Sequence, residues 1–147
     1  NGMGGESIYK FDEVTDEEIG IFQSLSKNNT HVMLQSFLPE IYDGDFRILI
    51  IHGEVCPIAL ARIPQEGSFN GNLEAGGKGI AKEISAKQKN VAKEIGKILI
   101  KNNIAFAGID MIGNHLTEIN VTSPTGAKEI FDQSGVNPIE LLFNKLL

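Results

Sequence analysis

Asp110, Glu118 and Asn120 are the residues of this chain whose types and spacing most directly suit chemistry. Gly108-Ile-Asp-Met-Ile-Gly reads as a strand and Leu116-Thr-Glu-Ile-Asn-Val as its partner, with Gly113-Asn114-His115 as the turn between them. Side chains alternate faces along a strand, so Glu118 and Asn120 share one face while Thr117, Ile119 and Val121 take the other. A three-residue turn at 113–115 sets Asp110 directly opposite Glu118. Like charges placed opposite each other repel and need a cation or a proton between them. Three oxygen-bearing side chains, with neither sulfur nor imidazole, suit a hard ion, Mg²⁺ above all and Mn²⁺ next. The alternative is an ordinary solvated sheet face on which acidic residues point at water.

Other residues carry weaker signals. Arg47 and Arg62 fall in the two arms of a central hairpin, and a guanidinium offers paired donors for carboxylate or phosphate, although an exposed strand arginine is the simpler reading. Asp45 stands two residues from Arg47 and could pair with it. Gly2-Met-Gly-Gly5 could cradle phosphate with backbone N–H groups, or be a plain tight turn; it has neither Walker nor dinucleotide-fold spacing. Residues 63–79 carry five glycines in a loop longer than most connections, the composition of a lid or of a disordered connector. Ser123-Pro-Thr-Gly126 leads into a helix, where hydroxyls could hold a carboxylate or simply cap. His31, His52 and His115 have no metal-ligand spacing and read as surface residues.

The elements that must position these groups follow from pattern. Ser7 to Phe11 and Val32 to Phe37 read as strands, and Thr15-x-x-Glu18 caps a helix carrying Ile19, Phe22 and Leu25. Arg47 to Ile51, the turn His52-Gly53 and Val55 to Arg62 read as a hairpin in which Pro57 marks an edge or a bulge. Ser85-x-x-Gln88 caps a second helix with Val91, Ile95, Ile98 and Leu99 on one stripe. Gly126 to Gly135 and Pro138 to Leu147 read as closing helices. The mixture is α+β with mostly antiparallel strands.

A net charge of −6 argues against nucleic acid and anionic membranes as partners, because phosphate backbones require a basic footprint. It leaves room for a small phosphorylated ligand. Apolar runs are of strand length, such as Ile48-Leu-Ile-Ile51, which is far short of a membrane span. Cys56 is the only cysteine, which excludes an intrachain disulfide and makes the reducing cytoplasm the default. The opening Asn1-Gly-Met-Gly-Gly-Glu-Ser7, a glycine-rich turn with no strand before it, reads as cut from something longer.

Taken together, Gly2-Met-Gly-Gly5, Gln35-Ser-Phe-Leu-Pro39, Asp43-Gly-Asp-Phe-Arg47, Arg62-Ile-Pro-Gln65, Gly71-Asn-Leu-Glu-Ala-Gly-Gly-Lys-Gly79, Gly108-Ile-Asp110 and Thr117-Glu-Ile-Asn-Val-Thr-Ser-Pro-Thr125 resemble the ATP-grasp ligases, and within them the bacterial glutathione synthetase family. The resemblance is collinear along the chain. It implies an ATP-grasp fold in which residues 1–37 belong to the small subdomain and 38–147 form the large one, with a lid at 63–79. It implies that Gly4 and Gly5 cover the ATP phosphates. Gln35, Ser36, Phe37 and Leu38 would meet the adenine, and Asp45 would lie near the ribose. Arg47 would stabilise the transferring phosphoryl group, and Arg62 and Asn72 would hold substrate. Ser123, Thr125 and Gly126 would line the end where glycine enters, and Asp110, Glu118 and Asn120 would hold Mg²⁺.

The activity so implied joins glycine to γ-glutamylcysteine at the expense of ATP, through an acyl phosphate, in a cytoplasmic enzyme that is homo-oligomeric when intact. Phosphoryl transfer asks a protein for positioning and charge neutralisation, which agrees with a site of arginines and carboxylates rather than a Ser/His or Cys/His pair. Two departures stand out. The family's N-terminal substrate domain and the lysines ahead of the glycine loop have no counterpart in these 147 residues, so the stretch alone is expected to be inactive. Asn70 stands where the lid often carries arginine. The rival readings are another ATP-grasp carboxylate–amine ligase and a non-catalytic nucleotide-binding module.

Overall fold

The computed structural model describes residues 8–27, 31–71 and 76–145, and the chain divides after Leu38 into two units, 1–38 and 39–147. In the first unit, helix α1 (Asp16–Leu25) is opened by the expected capping box: Glu17 N–H donates to the Thr15 hydroxyl, and the Thr15 N–H donates to Glu18 at 3.0 Å. Residues 8–11 and 31–38 are not strands, contrary to the strands expected at Ser7 to Phe11 and Val32 to Phe37. Alternation selects which side chains share a face, but a strand also needs a ladder partner. Neither segment is hydrogen-bonded into a sheet, and Ile8, Tyr9, Met33 and Leu34 are exposed.

The second unit is built on an antiparallel sheet. Its strands are β1 (Asp45–Ile51), β2 (Glu54–Val55), β3 (Ile58–Ile63), β4 (Lys78–Glu83), β5 (Phe106–Ile112) and β6 (His115–Asn120). The order across the sheet is β4-β3-β1-β5-β6, with β2 paired to the far end of β1. Pro57 lacks the N–H that a continuous second arm would need, so the arm breaks at Cys56-Pro57 into β2 and β3. Strand β4 takes in Lys78 and Gly79, and β3 takes in Ile63; both ends of the long glycine-rich segment are therefore sheet rather than loop.

The two faces of this sheet differ. Ile48, Ile50, Ala59, Ala107, Ile109 and Met111 form one, covered by Ala92, Val91, Ile95 and Leu99 of helix α2 (Ala86–Lys101). On the other, Leu49 and Leu60 pack under Ile130 of helix α3 (Ala127–Ser134), which is wholly buried. Burying one such side chain contributes roughly 1.5–3 kcal/mol, enough to seat a helix of two turns. Helix α4 (Pro138–Asn144) follows, with Asn137 accepting from Ile139 and Glu140 N–H at 3.1 and 3.2 Å. The apolar cover on this face stops short of Asp45, Arg47, Arg62 and Asp110, the neighbours of Leu49 and Leu60 along and across the strands.

Gln88 connects the helical layer to the hairpin that carries the acidic residues. Its side chain closes the α2 capping box by accepting from Ser85 N–H at 2.9 Å, while its amide nitrogen donates to the Gly113 carbonyl at 3.1 Å. Gly113 itself has φ +57, a left-handed value that favours glycine at a tight turn.

Candidate active site

Four charged residues from three strands meet on the half-covered face. Arg47 is the cross-strand partner of Asp110, and Asp45 is the partner of Arg62. Arg47 donates to Asp110 with both Nε and Nη2, the latter at 2.8 Å, which is the bidentate fork a guanidinium makes best. Arg62 Nη2 lies between two carboxylates, bonded to Asp45 and 3.0 Å from Asp110 Oδ2. Asn120 Nδ2 donates to the same Asp110 oxygen at 3.4 Å. Arg47 also reaches the Thr125 carbonyl at 3.5 Å, which brings the loop 123–126 against the cluster.

Asp110 does face Glu118, by a different local route from the one the sequence pattern describes. The turn is the two residues Gly113-Asn114, so Ile112 pairs with His115 and Met111 with Leu116. A bulge between Asp110 and Met111 then absorbs one extra residue, and Asp110 returns to register with Glu118. The extra residue is Thr117, whose hydroxyl donates to the Asp110 carbonyl at 3.1 Å. A bulge restores what a one-residue slip would have destroyed, since a slip sends every side chain to the opposite face. Glu118 itself is exposed.

Burial and pairing pull these groups in different directions. Burial alone would raise the Asp110 carboxyl, but the Arg47 hydrogen bonds and the Arg62 charge outweigh it and hold Asp110 below the usual carboxylate range. Burial would likewise lower Arg47, and the Asp110 carboxylate reverses that, raising it. Asp45 has a single guanidinium partner and a buried Oδ1 with no partner, and burial pushes its carboxyl up to about 6 against the pull of Arg62.

Asp110, depressed in the fold, lends stability above its ordinary value of 3.8 that is lost as pH falls. Asp45, raised in the fold, lends stability below 3.8 that is lost as pH climbs through about 6. We expect the unfolding free energy of wild type minus that of Asp45→Asn to decline from pH 4 to pH 6, measured by denaturant titration at several pH values. A difference that stays constant across that window would contradict the assignment.

Whether the group suits a hard cation can be judged from its donors. Asp110, Glu118 and Asn120 lie on one face beside two guanidiniums; the two carboxylates offer oxygen, and Asn120, whose Nδ2 faces Asp110, offers its oxygen once the amide turns. That donor set fits Mg²⁺. Among the described residues no group of three or more His, Cys, Asp or Glu side chains is gathered for a metal; the candidate set is two carboxylates and an amide. Both Asp110 oxygens are engaged by arginine, so a cation there competes with Arg47 and Arg62.

The remaining candidates are less tightly placed. Asp45 pairs with Arg62 and not with Arg47: residues two apart on a strand lie side by side, whereas the cross-strand neighbour is closer. Ser123 has φ +45, and neither it nor Thr125 caps α3; the cap is Gly126, with φ +106 and no side chain to contribute. Gln35, Ser36, Phe37 and Leu38 lie in the first unit without regular secondary structure. Gly4, Gly5 and Asn72 fall outside the described residues.

One position that shapes the cluster reads in the sequence only as part of a strand and of the Gly108-Ile-Asp110 string. Gly108 lies under the Arg47 stem: a methyl there would stand 2.8 Å from Arg47 Cδ and 2.9 Å from Pro124 Cβ. Only a residue without a side chain lets the arginine pass between β5 and the loop 123–126.

Residues 1–135 match the family described as the prokaryotic glutathione synthetase ATP-grasp domain. The chain belongs to that family. It is 49% identical over 148 residues to a glutathione synthetase of Nitrosomonas europaea, covering 99% of this chain and 46% of the relative. It is 49% identical over 137 residues to a glutathione synthetase of Neisseria meningitidis serogroup A, covering 92% of this chain and 43% of the relative. It is 47% identical over 131 residues to one of Pseudomonas aeruginosa, covering 88% and 41%. The chain therefore spans less than half the length of these relatives. The antiparallel sheet with flanking helices agrees with the α+β ATP-grasp expectation for this family. Among the described residues no helix is long and apolar enough to cross a membrane.

Proposed function

We propose that this chain is the nucleotide-handling portion of an ATP-dependent ligase that joins glycine to γ-glutamylcysteine to make glutathione. The observation that carries the reading is the Arg47–Asp110–Arg62–Asp45 cluster beside Glu118 and Asn120, in a member of the glutathione synthetase ATP-grasp family. ATP is the co-substrate. A carboxylate oxygen of the dipeptide attacks the terminal phosphorus, the bond to the bridging oxygen breaks, and ADP leaves. The glycine amine then attacks the acyl carbon, the carbon–oxygen bond to phosphate breaks with its electron pair, and the amine loses a proton.

Asp110, Glu118 and Asn120 hold Mg²⁺, or Mn²⁺ in its place; when bound, the ion supplies charge neutralisation for the phosphates. Arg47 meets the phosphoryl oxygens, for which a guanidinium fork is well matched, and Arg62 acts beside it by holding substrate. Gly4 and Gly5 cover the phosphates, Gln35 to Leu38 take the adenine, and Asp45 lies toward the ribose while keeping its grip on Arg62. Asn72, Ser123, Thr125 and Gly126 receive the dipeptide and glycine. The intact enzyme is read as a cytoplasmic homo-oligomer.

The test is acceptor dependence in the intact protein. ADP release that requires both γ-glutamylcysteine and glycine supports the reading. Turnover with a different carboxylate and amine would make it a ligase of another specificity. Metal-dependent ATP binding with no turnover would make it a nucleotide-binding module.

A further inference from the structure

We infer that Gln133 is a positioning residue that clamps the outer edge of β4 to α3 and so holds the strand beside Arg62. This rests on the ligase reading above. Strand β4 is an edge of the sheet, and an edge strand presents a row of peptide groups with no neighbour. At Gly79 and Ala81 the Gln133 side chain takes the neighbour's place: its amide oxygen accepts from Ala81 N–H at 2.9 Å, and its amide nitrogen donates to the Gly79 carbonyl at 3.1 Å. A primary amide carries an NH₂ donor and a carbonyl acceptor side by side on a planar group, so one side chain serves two peptide groups of the edge.

The place of this clamp gives it a role in catalysis. Gly79 is the cross-strand partner of Arg62, and β4 is where the long glycine-rich segment rejoins the sheet. Gln133 sits in the last turn of α3, whose other end follows the Thr125 carbonyl that Arg47 reaches. Eight residues of helix span about 12 Å and bend little. Ile130, buried against Leu49 and Leu60, fixes the helix between those ends. The strand next to Arg62 and the loop next to Arg47 are thus tied by one rigid element. When β4 loosens at Gly79, the wall beside Arg62 loosens with it and admits water. An acyl phosphate then hydrolyses: water oxygen bonds to the acyl carbon, the carbon–oxygen bond breaks with its electron pair going to phosphate, and the water protons pass to phosphate and solvent, leaving free dipeptide carboxylate and inorganic phosphate.

The experiment compares wild type, Gln133→Leu and Gln133→Glu in the intact protein by two readouts. One is hydrogen exchange of the Ala81 amide; the other is inorganic phosphate released per glutathione formed, with ATP, Mg²⁺, γ-glutamylcysteine and glycine supplied. We expect Gln133→Leu to speed Ala81 exchange roughly five- to tenfold, the loss of one hydrogen bond. We expect its phosphate-to-glutathione ratio to rise above the wild-type value of one. A generally destabilised enzyme would lose both products together and keep the ratio at one. Gln133→Glu keeps the acceptor toward Ala81 but sets oxygen against the Gly79 carbonyl. It should retain the Ala81 protection while raising the ratio, and it carries the test if the Leu variant does not fold. Unchanged Ala81 exchange in Gln133→Leu overturns the clamp, and a ratio of one in both variants overturns its role in coupling. Should wild type turn over other substrates only, the ligase reading fails while the exchange measurement still decides the clamp.

Discussion

Asp110→Asn is expected to lower both stability and turnover more than any other substitution in the cluster. The Asp110 carboxylate is almost fully buried and is the counter-ion that Arg47 and Arg62 share. An amide of the same shape keeps the packing but takes from Arg47 its one bonded carboxylate, while Arg62 keeps Asp45. Removing one partner of a buried ion pair costs about 3–5 kcal/mol, because the charge left behind is uncompensated. Turnover falls further, on the order of 10²–10³-fold, as the group also loses an anionic contribution to phosphate and metal binding. Thermal unfolding and steady-state kinetics of the intact protein check both parts. Glu118→Gln is the control: Glu118 is exposed and has no guanidinium partner as close, so its turnover should drop while its unfolding midpoint stays near wild type. A midpoint and rate near wild type in Asp110→Asn would remove Asp110 from the centre of the account.

Gly108→Ala is the second large effect, and it comes from one methyl group. The added carbon would meet Arg47 Cδ at 2.8 Å and Pro124 Cβ at 2.9 Å, both on the site side of β5. Neither yields freely: Arg47 is held at its far end by Asp110, and Pro124 belongs to a loop pinned by the Arg47–Thr125 contact. Overpacking of this kind costs roughly 1–3 kcal/mol of stability. The catalytic loss is expected to be larger in proportion, about 10²-fold, since a displacement near 1 Å of a positioned group suffices for that. The signature is a fall in kcat with a modest fall in stability. Gly67→Ala is a useful comparison because open space surrounds that glycine, although its φ of +80 carries its own backbone cost. Equal kcat in wild type and Gly108→Ala would show that the Arg47 stem does not depend on this gap.

Much of this arrangement is legible from residue pattern. The two capping boxes mark α1 and α2 because Thr15–Glu18 and Ser85–Gln88 are local pairs whose bonds need no tertiary partner. Asp110 and Glu118 are legible as neighbours because hairpin counting constrains them, even though a two-residue turn and a bulge replace the three-residue turn. What pattern does not carry is the partner across a non-local ladder. Asp45 pairs with Arg62 because of the β1–β3 register, which depends on how the chain recovers after the break at Pro57. Strand β4 is easily overlooked: Lys78-Gly-Ile-Ala-Lys-Glu83 has a single β-branched residue, and its pairing to β3 comes from tertiary context. The converse error occurs at 8–11 and 31–38, where strand-like composition is present and the ladder is not. The parts played by Gly108 and Gln133 are hidden for a further reason: one acts by lacking a side chain, the other by serving a distant backbone.

The most direct measurement is the anomalous scattering of Mn²⁺ in a crystal of the intact protein grown with ADP. The account predicts a peak on the open face of the hairpin, bounded by Asp110, Glu118 and Asn120, with Arg47 turned toward the phosphate side. An ordered nucleotide accompanied by a metal peak that touches none of these three side chains would contradict it.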